Sequence, residues 1–201
     1  MQYLAVSNID KPIGKIIYTQ FLNSRGGIEA DLTISRTGEE EFYIVTGSAF
    51  GVHDRSWIEK HSPRDSSVVI DDLTEEFGVI NLCGPHARDV LQDVTDDDIS
   101  NETLPFSSYA DIHVAGHPVR AMRIGYVGEL GWEMHMGREN MPAVYKALAE
   151  AGSQYDIADV GYRAIDSLRM EKGYLYWSSD ISPDYNPCLL YTSPSPRDAT
   201  L

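Results

Sequence analysis

Tyr126 and Glu133 stand seven residues apart in the stretch Arg123-Ile-Gly-Tyr-Val-Gly-Glu-Leu-Gly-Trp-Glu-Met-His-Met136, an aromatic hydroxyl and a carboxylate inside an apolar strand pattern. A carboxylate between Trp132 and Met134 is costly to bury unless something donates hydrogen bonds to it. Gly125, Gly128 and Gly131 bend the segment or let a ligand approach its backbone. The odd spacing therefore does not force the two side chains onto opposite faces of one flat strand. On the residues alone, the commoner reading of Glu133 is a solvent-facing side chain on an edge strand after a glycine turn.

Other chemistry-bearing groups are weaker. His113 and His117 have ligand-like spacing, but Gly116 sits between them in a turn and no thiolate or third histidine is near in sequence, so no metal site is expected. Asp93, Asp96, Asp97 and Asp98 lack the glycine and terminal glutamate of a calcium loop and read as a solvated face. Gly128-Glu-Leu-Gly131 is not a dinucleotide fingerprint. Cys83, before Gly84-Pro85, reads as a buried thiol rather than a nucleophile, with His86 as the only partner in view.

The elements that must position these groups alternate in type. Ile16 to Phe21 reads as a strand entering a Gly26-Gly27 turn, and Ile28, Ala30, Leu32 and Ile34 share one parity beyond it, which predicts a hairpin. Phe42 to Thr46 makes a third strand, and Val52, Trp57 and Ile58 suggest a helix over Ala49 to His61. Val68 to Ile70 and Val79 to Leu82 read as strands, and Pro85 opens a helix carrying Ala87, Val90 and Leu91. A hairpin around Ala115-Gly116-His117 leads into the Tyr126 stretch. Asn140 is placed to cap a helix with Met141, Val144, Tyr145 and Leu148 on one face, ending at Gly152, and a last helix covers Tyr162 to Lys172 with Gly173 as its stop. Antiparallel hairpins with flanking helices indicate α+β rather than a doubly wound sheet.

Composition bounds the partners. The 201 residues suit one domain or two small ones, and an apolar fraction of 42% is enough for a core. A formal charge of −15 disfavours nucleic acid and anionic membrane. No apolar run is long enough to span a bilayer, the first residues lack a signal-peptide pattern, and two cysteines give no disulfide framework. A soluble protein of a reducing compartment is expected, cytoplasmic, or of the mitochondrial matrix if the source is eukaryotic.

Tyr126-Val-Gly-Glu-Leu-Gly-Trp-Glu133 resembles the pterin-binding segment of the glycine cleavage T-protein (aminomethyltransferase) family, and especially of its flavoenzyme relatives, the dimethylglycine and sarcosine dehydrogenases and oxidases. Further segments match in family order: Tyr18 to Asp31, Glu41-Phe-Tyr-Ile-Val-Thr46, Leu82-Cys-Gly-Pro85, Asp166-Ser-Leu-Arg-Met-Glu-Lys-Gly173 and Asp180-Ile181. The resemblance implies the aminomethyltransferase folate-binding fold, incomplete at both ends, over residues 1–187. The string Cys188-Leu-Leu-Tyr-Thr-Ser-Pro-Ser-Pro-Arg-Asp198 resembles a translated sequencing-library adaptor, so 188–201 is read as non-native. Composition alone would also fit a Pro/Ser-rich linker. Met1 reads as an internal methionine of the family domain.

By the same resemblance, Glu133 receives the pterin amino and ring N–H donors, and an ionised carboxylate can accept two parallel charge-assisted bonds from such an edge. Tyr126 corresponds to the aromatic beside the folate, and Tyr43 and Val45 to further pocket-lining residues. Asp31 corresponds to the acidic residue that would relay a proton and stabilise an iminium-like cation as the methylene is transferred. From pattern alone, Tyr43 and Val45 read as core strand residues and Asp31 as a solvated hairpin residue. The cofactor implied is tetrahydrofolate, with FAD on a missing upstream flavin domain of the intact chain. The alternatives are a free-standing aminomethyltransferase served by a lipoyl carrier protein and a folate-binding module without turnover.

One departure separates subtypes. T-proteins resemble Ala-Arg-Asp-Ser-Leu-Arg in the late helix, whereas Ala164-Ile165-Asp166-Ser167-Leu168-Arg169 has Ile165 in place of an arginine that helps hold folate. That substitution, with Glu171-Lys-Gly-Tyr174 and Tyr18-Thr-Gln20, points to the flavoenzymes. The Lys-Gly-Cys-Tyr signature of the iron–sulfur assembly paralogues is absent, since Lys172-Gly173-Tyr174 lacks the cysteine.

Overall fold

The structure, a computed structural model, describes residues 1–188; the adaptor-like string lies outside them except for Cys188. The chain divides into two compact units, one of residues 1–13, 17–70 and from 175 on, the other of residues 14–16 and 71–174.

In the first unit, strands β1 (Ile16–Leu22), β2 (Ile28–Arg36) and β3 (Phe42–Thr46) form a sheet in the order β1-β2-β3. The β1–β2 turn closes at Gly26, whose φ of 80° suits glycine, while the Asn23 carboxamide oxygen accepts from the N–H groups of Arg25 and Gly27. Ile28, Ala30, Leu32 and Ile34 are all buried, as their shared parity predicts, and Ala30, Leu32 and Ile34 pack with Phe21, Leu4 and Ile58. Glu29, Asp31 and Thr33 take the opposite face of β2.

Helix α1 (Gly51–His61) follows a short 3-10 turn, and its buried residues are Asp54 and Ile58. Val52, expected on the inner face, is exposed. It lies six residues from Ile58, about 120° away around the axis, so the two cannot share a stripe. The strand expected at Val68 to Ile70 does not form; the stretch is irregular, and Val68 and Val69 are exposed. Three β-branched residues without a neighbouring strand gain no ladder to hold them.

The second unit contains β4 (Phe77–Cys83), α2 (Ala87–Gln92), β5 (Tyr109–Val114), β6 (His117–Met122), β7 (Gly131–Gly137), α3 (Met141–Gly152) and α4 (Tyr162–Glu171). Its sheet is antiparallel throughout, in the order β4-β7-β6-β5. Ala115 and Gly116, both at positive φ, form the two-residue turn between β5 and β6 that matches strand twist. Trp132, Met134 and Met136 of β7 bury one face against Leu82, Val90, Leu91, Val144 and Leu148. Each such side chain contributes about 1.5–3 kcal/mol.

Asn140 does not cap α3: its carboxamide oxygen meets His117 Nδ1 at 3.1 Å, and Pro142 opens the helix where no N–H is required. Tyr145 turns outward, its hydroxyl on Asp159 at 2.9 Å. Helix α4 stops at Gly173, φ 73°. Among the described residues no helix is long and apolar enough to cross a membrane. The architecture is the expected α+β class of antiparallel sheets with flanking helices.

Candidate functional site

Of the expected site residues, Tyr126 and Glu133 belong to the second unit and Asp31, Tyr43 and Val45 to the first. Glu133 sits in β7, an inner strand, opposite Asn81 of β4 and Met122 of β6. It points away from the Trp132 core, with its side chain 21% exposed and Oε2 3.7 Å from Nε2 of the buried His135. A half-buried carboxylate on a central strand replaces the solvent-facing edge residue that the residues alone suggest. Tyr126 is not in a strand; it lies in the loop of residues 123–130 that joins β6 to β7. The odd spacing therefore imposes no relation between the two faces.

That loop borders a cavity of about 150 Å³, lined by Gly125, Gly128 and Gly131 together with Phe106, Arg123 and Tyr174. The glycines line this cavity, whereas Tyr126 and Glu133 do not. Tyr126 instead stacks on Tyr174. Gly128, φ 70°, is covered by Lys172: a Cβ there would collide with the aliphatic stem of that side chain. A Cβ at Gly131 would strike the Leu82 carbonyl oxygen, so close β4–β7 pairing requires glycine.

Helix α4 fixes Tyr174. Arg169, buried, binds Asp166 Oδ1 through Nε at 2.7 Å and donates from Nη1 to the Tyr174 carbonyl at 2.8 Å. The Tyr174 N–H donates back to the Arg169 carbonyl. Asp166 and Arg169 of the late motif are therefore structural here. Arg163 is exposed and Ile165 half-buried.

In the first unit, Thr33 faces Val45 and Ser35 faces Tyr43 across β2–β3, so Tyr43, Val45 and Asp31 share one sheet face. They are spread along that face, Asp31 lying two residues beyond the Thr33–Val45 pair and four beyond the Ser35–Tyr43 pair. Gln20 Nε2 donates to Asp31 Oδ1 at 2.9 Å, and Tyr18 also hydrogen-bonds to the carboxyl. Burial pushes the Asp31 carboxyl above the usual carboxylate range; the Tyr18 and Gln20 hydrogen bonds pull it down, and the nearby Asp54 charge adds to the rise. Such a group holds a proton more tightly than a solvated aspartate and is a stronger base.

Asp54 and His135 carry no signal in the sequence pattern, and Gln20 and Tyr174 enter it only as markers of subtype. Tyr18 and Gln20 alternate in the strand beside Asp31, which is a readable signal, whereas Tyr174 meets Tyr126 only through tertiary packing. His113 and His117 pair with Pro118 and Val114 in the β5–β6 hairpin, which puts the two histidines on opposite faces. Among the described residues no group of three or more His, Cys, Asp or Glu is arranged to hold a metal ion. Asp97 accepts from the His113 N–H and Asp98 from Ser100 and Thr103, so these acids brace their own loop. Cys83 is exposed rather than buried, because it lies on the outer face of edge strand β4. The atoms around its sulfur and the Glu129 carboxylate still push the thiol up, away from nucleophilic character.

Residues 1–190 match the GCVT N-terminal domain. The chain is 40% identical over 199 residues to the mitochondrial sarcosine dehydrogenase of Mus musculus, an alignment covering 92% of the chain and 22% of that protein. It is 37% identical over 182 residues to the mitochondrial dimethylglycine dehydrogenase of Mus musculus, covering 90% and 21%. Among solved structures, the glycine cleavage system aminomethyltransferase T from Bartonella henselae resembles it with a TM-score of 0.74 at 26% identity, covering 92% of the chain and 48% of that protein. The chain spans about a fifth of the length of these two curated relatives.

Proposed function

The chain belongs to the family of GCVT N-terminal domains, and on that premise we propose that it binds tetrahydrofolate and captures a one-carbon unit as methylene-tetrahydrofolate, as one domain of an FAD-dependent N-methyl amine dehydrogenase or oxidase. The observation that carries this reading is the half-buried Glu133 carboxylate on an inner strand of the stretch that resembles a pterin-binding segment. The adjoining glycine loop borders a cavity of about 150 Å³, smaller than the roughly 300–1,000 Å³ of a pocket for a whole drug-sized ligand. The half-buried Glu133 carboxylate suits a ligand edge rich in N–H donors. The residues present therefore fit the group.

Bound tetrahydrofolate supplies the nitrogen that accepts the one-carbon unit. Glu133 would accept the pterin N–H donors and Tyr126 would border the ligand. Tyr43 and Val45, on the sheet face of Asp31 in the other unit, would contribute apolar surface. Asp31 would take the proton released as the carbon–nitrogen bond forms and offset developing positive charge. FAD is assigned to another domain of the intact protein, which would oxidise the amine to the imine.

A second reading is favoured by the likeness to the Bartonella aminomethyltransferase: a free-standing transferase whose substrate arrives on a lipoyl carrier. Ile165, where that group carries arginine, counts against it.

In the intact protein, calorimetric titration with tetrahydrofolate and a formaldehyde-trapping assay separate the roles. Glu133→Gln weakens affinity by about 10–100-fold, the range for hydrogen bonds to a charged group. Asp31→Asn leaves affinity near its starting value and slows capture by about 10²–10⁴-fold, with free formaldehyde released instead. Unchanged affinity and formaldehyde yield in both variants would sink the assignment.

A further inference from the structure

Gln20, a mark of subtype in the sequence, has a chemical partner in the fold. It is 4% exposed, and its Nε2 donates to Asp31 Oδ1 at 2.9 Å. Ile17 and Phe21 of β1 pack into the core with Ala30, Leu32 and Ile34, so strand alternation puts Gln20 on the opposite face, that of Asp31. The backbone at Gln20 is held independently of this bond. Strand β1 pairs with β2 on one side, and on the other the Gln20 carbonyl accepts from the Val6 N–H at 3.1 Å, next to the Ala5–Phe21 bridge. A buried side chain on a fixed backbone thus presents its amide to one oxygen of the carboxyl.

We propose that Gln20 is a positioning residue for Asp31, holding Oδ1 as an acceptor so that the proton released in one-carbon capture is directed to Oδ2. The assignment rests on the reading of Asp31 as the proton acceptor in that reaction. Presented through Nε2, the amide donates and has no site for an incoming proton. Its bond to an ionised carboxylate is stronger than its bond to a neutral acid, so it favours the charged form, the one able to act as a base. As the carbon–nitrogen bond forms, the ligand N–H bond breaks, its electron pair stays on nitrogen, and the proton passes to Asp31, which becomes neutral. The Tyr18 hydroxyl can donate or accept, and so accommodates the carboxyl in either state.

Gln20 thereby works against burial. Burial alone would keep Asp31 protonated further up the pH scale and leave less of it ready as a base, and the amide offsets part of that rise. The other titratable groups that share the face of Asp31 or act on it are Tyr18 of β1, Glu29 of β2, Tyr43 of β3 and Asp54 of α1. Substitution of Gln20 leaves all four in place, so a change at Asp31 reports the amide.

The test is an NMR titration of the full chain that follows the Asp31 carboxyl carbon and the Gln20 side-chain amide together. In the parent, the amide resonance moves with the Asp31 midpoint, a signature that needs no variant and so does not depend on a variant's folding. In Gln20→Asn the amide is one methylene short of Oδ1, and the Asp31 midpoint rises by about one pH unit, the effect of one lost hydrogen bond to a charged group. The sign separates this from a loosened fold, in which the smaller side chain would admit water and lower the midpoint. In the intact protein the acid limb of the capture rate moves up with the midpoint, while tetrahydrofolate affinity stays within about twofold. A Gln20 amide indifferent to Asp31, a midpoint unmoved or lowered in Gln20→Asn, or an acid limb that stays in place while the midpoint rises overturns the assignment. The titration involves no folate, so its failure is distinct from failure of the functional reading, which the capture rate of Asp31→Asn tests independently.

Discussion

The ring of Tyr126 lies nearly parallel to that of Tyr174, with centroids 6.1 Å apart and planes inclined by 19°. Tyr174 is itself tied to α4 through the Arg169 guanidinium, so a residue of the glycine loop is set by a helix about forty residues downstream. Aromatic pairs contribute about 0.5–1.5 kcal/mol beyond burial. Tyr174→Ala should therefore weaken tetrahydrofolate binding by roughly 2–10-fold, whereas Tyr174→Phe, which keeps the stack, should bind as the parent does. Calorimetric affinities of the two variants check this, and equal losses in both would show that the hydroxyl, not the stack, matters.

Gly128 and Gly125 line the same cavity but differ in what they tolerate. Gly128 combines a φ of 70° with the aliphatic stem of Lys172 packed where a Cβ would go, while the nearest atom to a Cβ at Gly125 is the Glu129 carbonyl oxygen at 4.0 Å. Lysine can swing away, but the left-handed backbone remains, and it costs an alanine about 1–2 kcal/mol. Gly128→Ala is expected to lower the thermal midpoint by about 2–8 °C, and Gly125→Ala to leave it nearly unchanged. Removing the lysine stem as well, in Gly128→Ala with Lys172→Ala, should recover only part of the loss.

These contrasts mark what the sequence discloses. The β2 alternation of Ile28, Ala30, Leu32 and Ile34 and the Ala115-Gly116 hairpin are readable because a period of two and a tight turn are local. The three glycines announce an open backbone for the same reason. Val52 and Val68 to Ile70 mislead, because an apolar residue reads as core even where no partner surface meets it. Tyr126 looks like a strand residue, since nothing local distinguishes an apolar strand from an apolar loop bent by glycine. Tyr174, His135 and Asp54 gain their places through tertiary packing, which no spacing within one segment encodes.

Asp31 also carries a pH dependence of stability. Its folded-state carboxyl lies above the unfolded value, so the native chain binds that proton more tightly than the unfolded chain. The resulting stabilisation is complete below the unfolded-state value and is lost as pH rises through the folded-state value. At neutral pH the ionised group is then a net cost. Asp31→Asn should flatten this decline in urea midpoints between acid and neutral pH and stabilise the chain at neutrality, even as capture slows. A variant no more stable than the parent at neutral pH, with the same acid-to-neutral slope, would refute the burial argument.

Arg163 and Ile165 test whether the family's missing arginine is replaced from nearby. Two residues apart in α4, they project about 200° apart around the axis. Arg163 is exposed while Ile165 is half-buried, so Arg163 cannot serve the direction of Ile165. Arg163→Ala should leave tetrahydrofolate affinity within about twofold, the spread expected of surface substitutions. Ile165→Arg restores the family residue, and affinity should rise by about fivefold, what an ion pair of about 1 kcal/mol provides. Part of that gain is offset in fold stability by the apolar burial that Ile165 gives up. Paired titrations and melts of the two variants check both halves, and a loss of affinity in Arg163→Ala would mean that α4 is turned differently toward its ligand in this subtype.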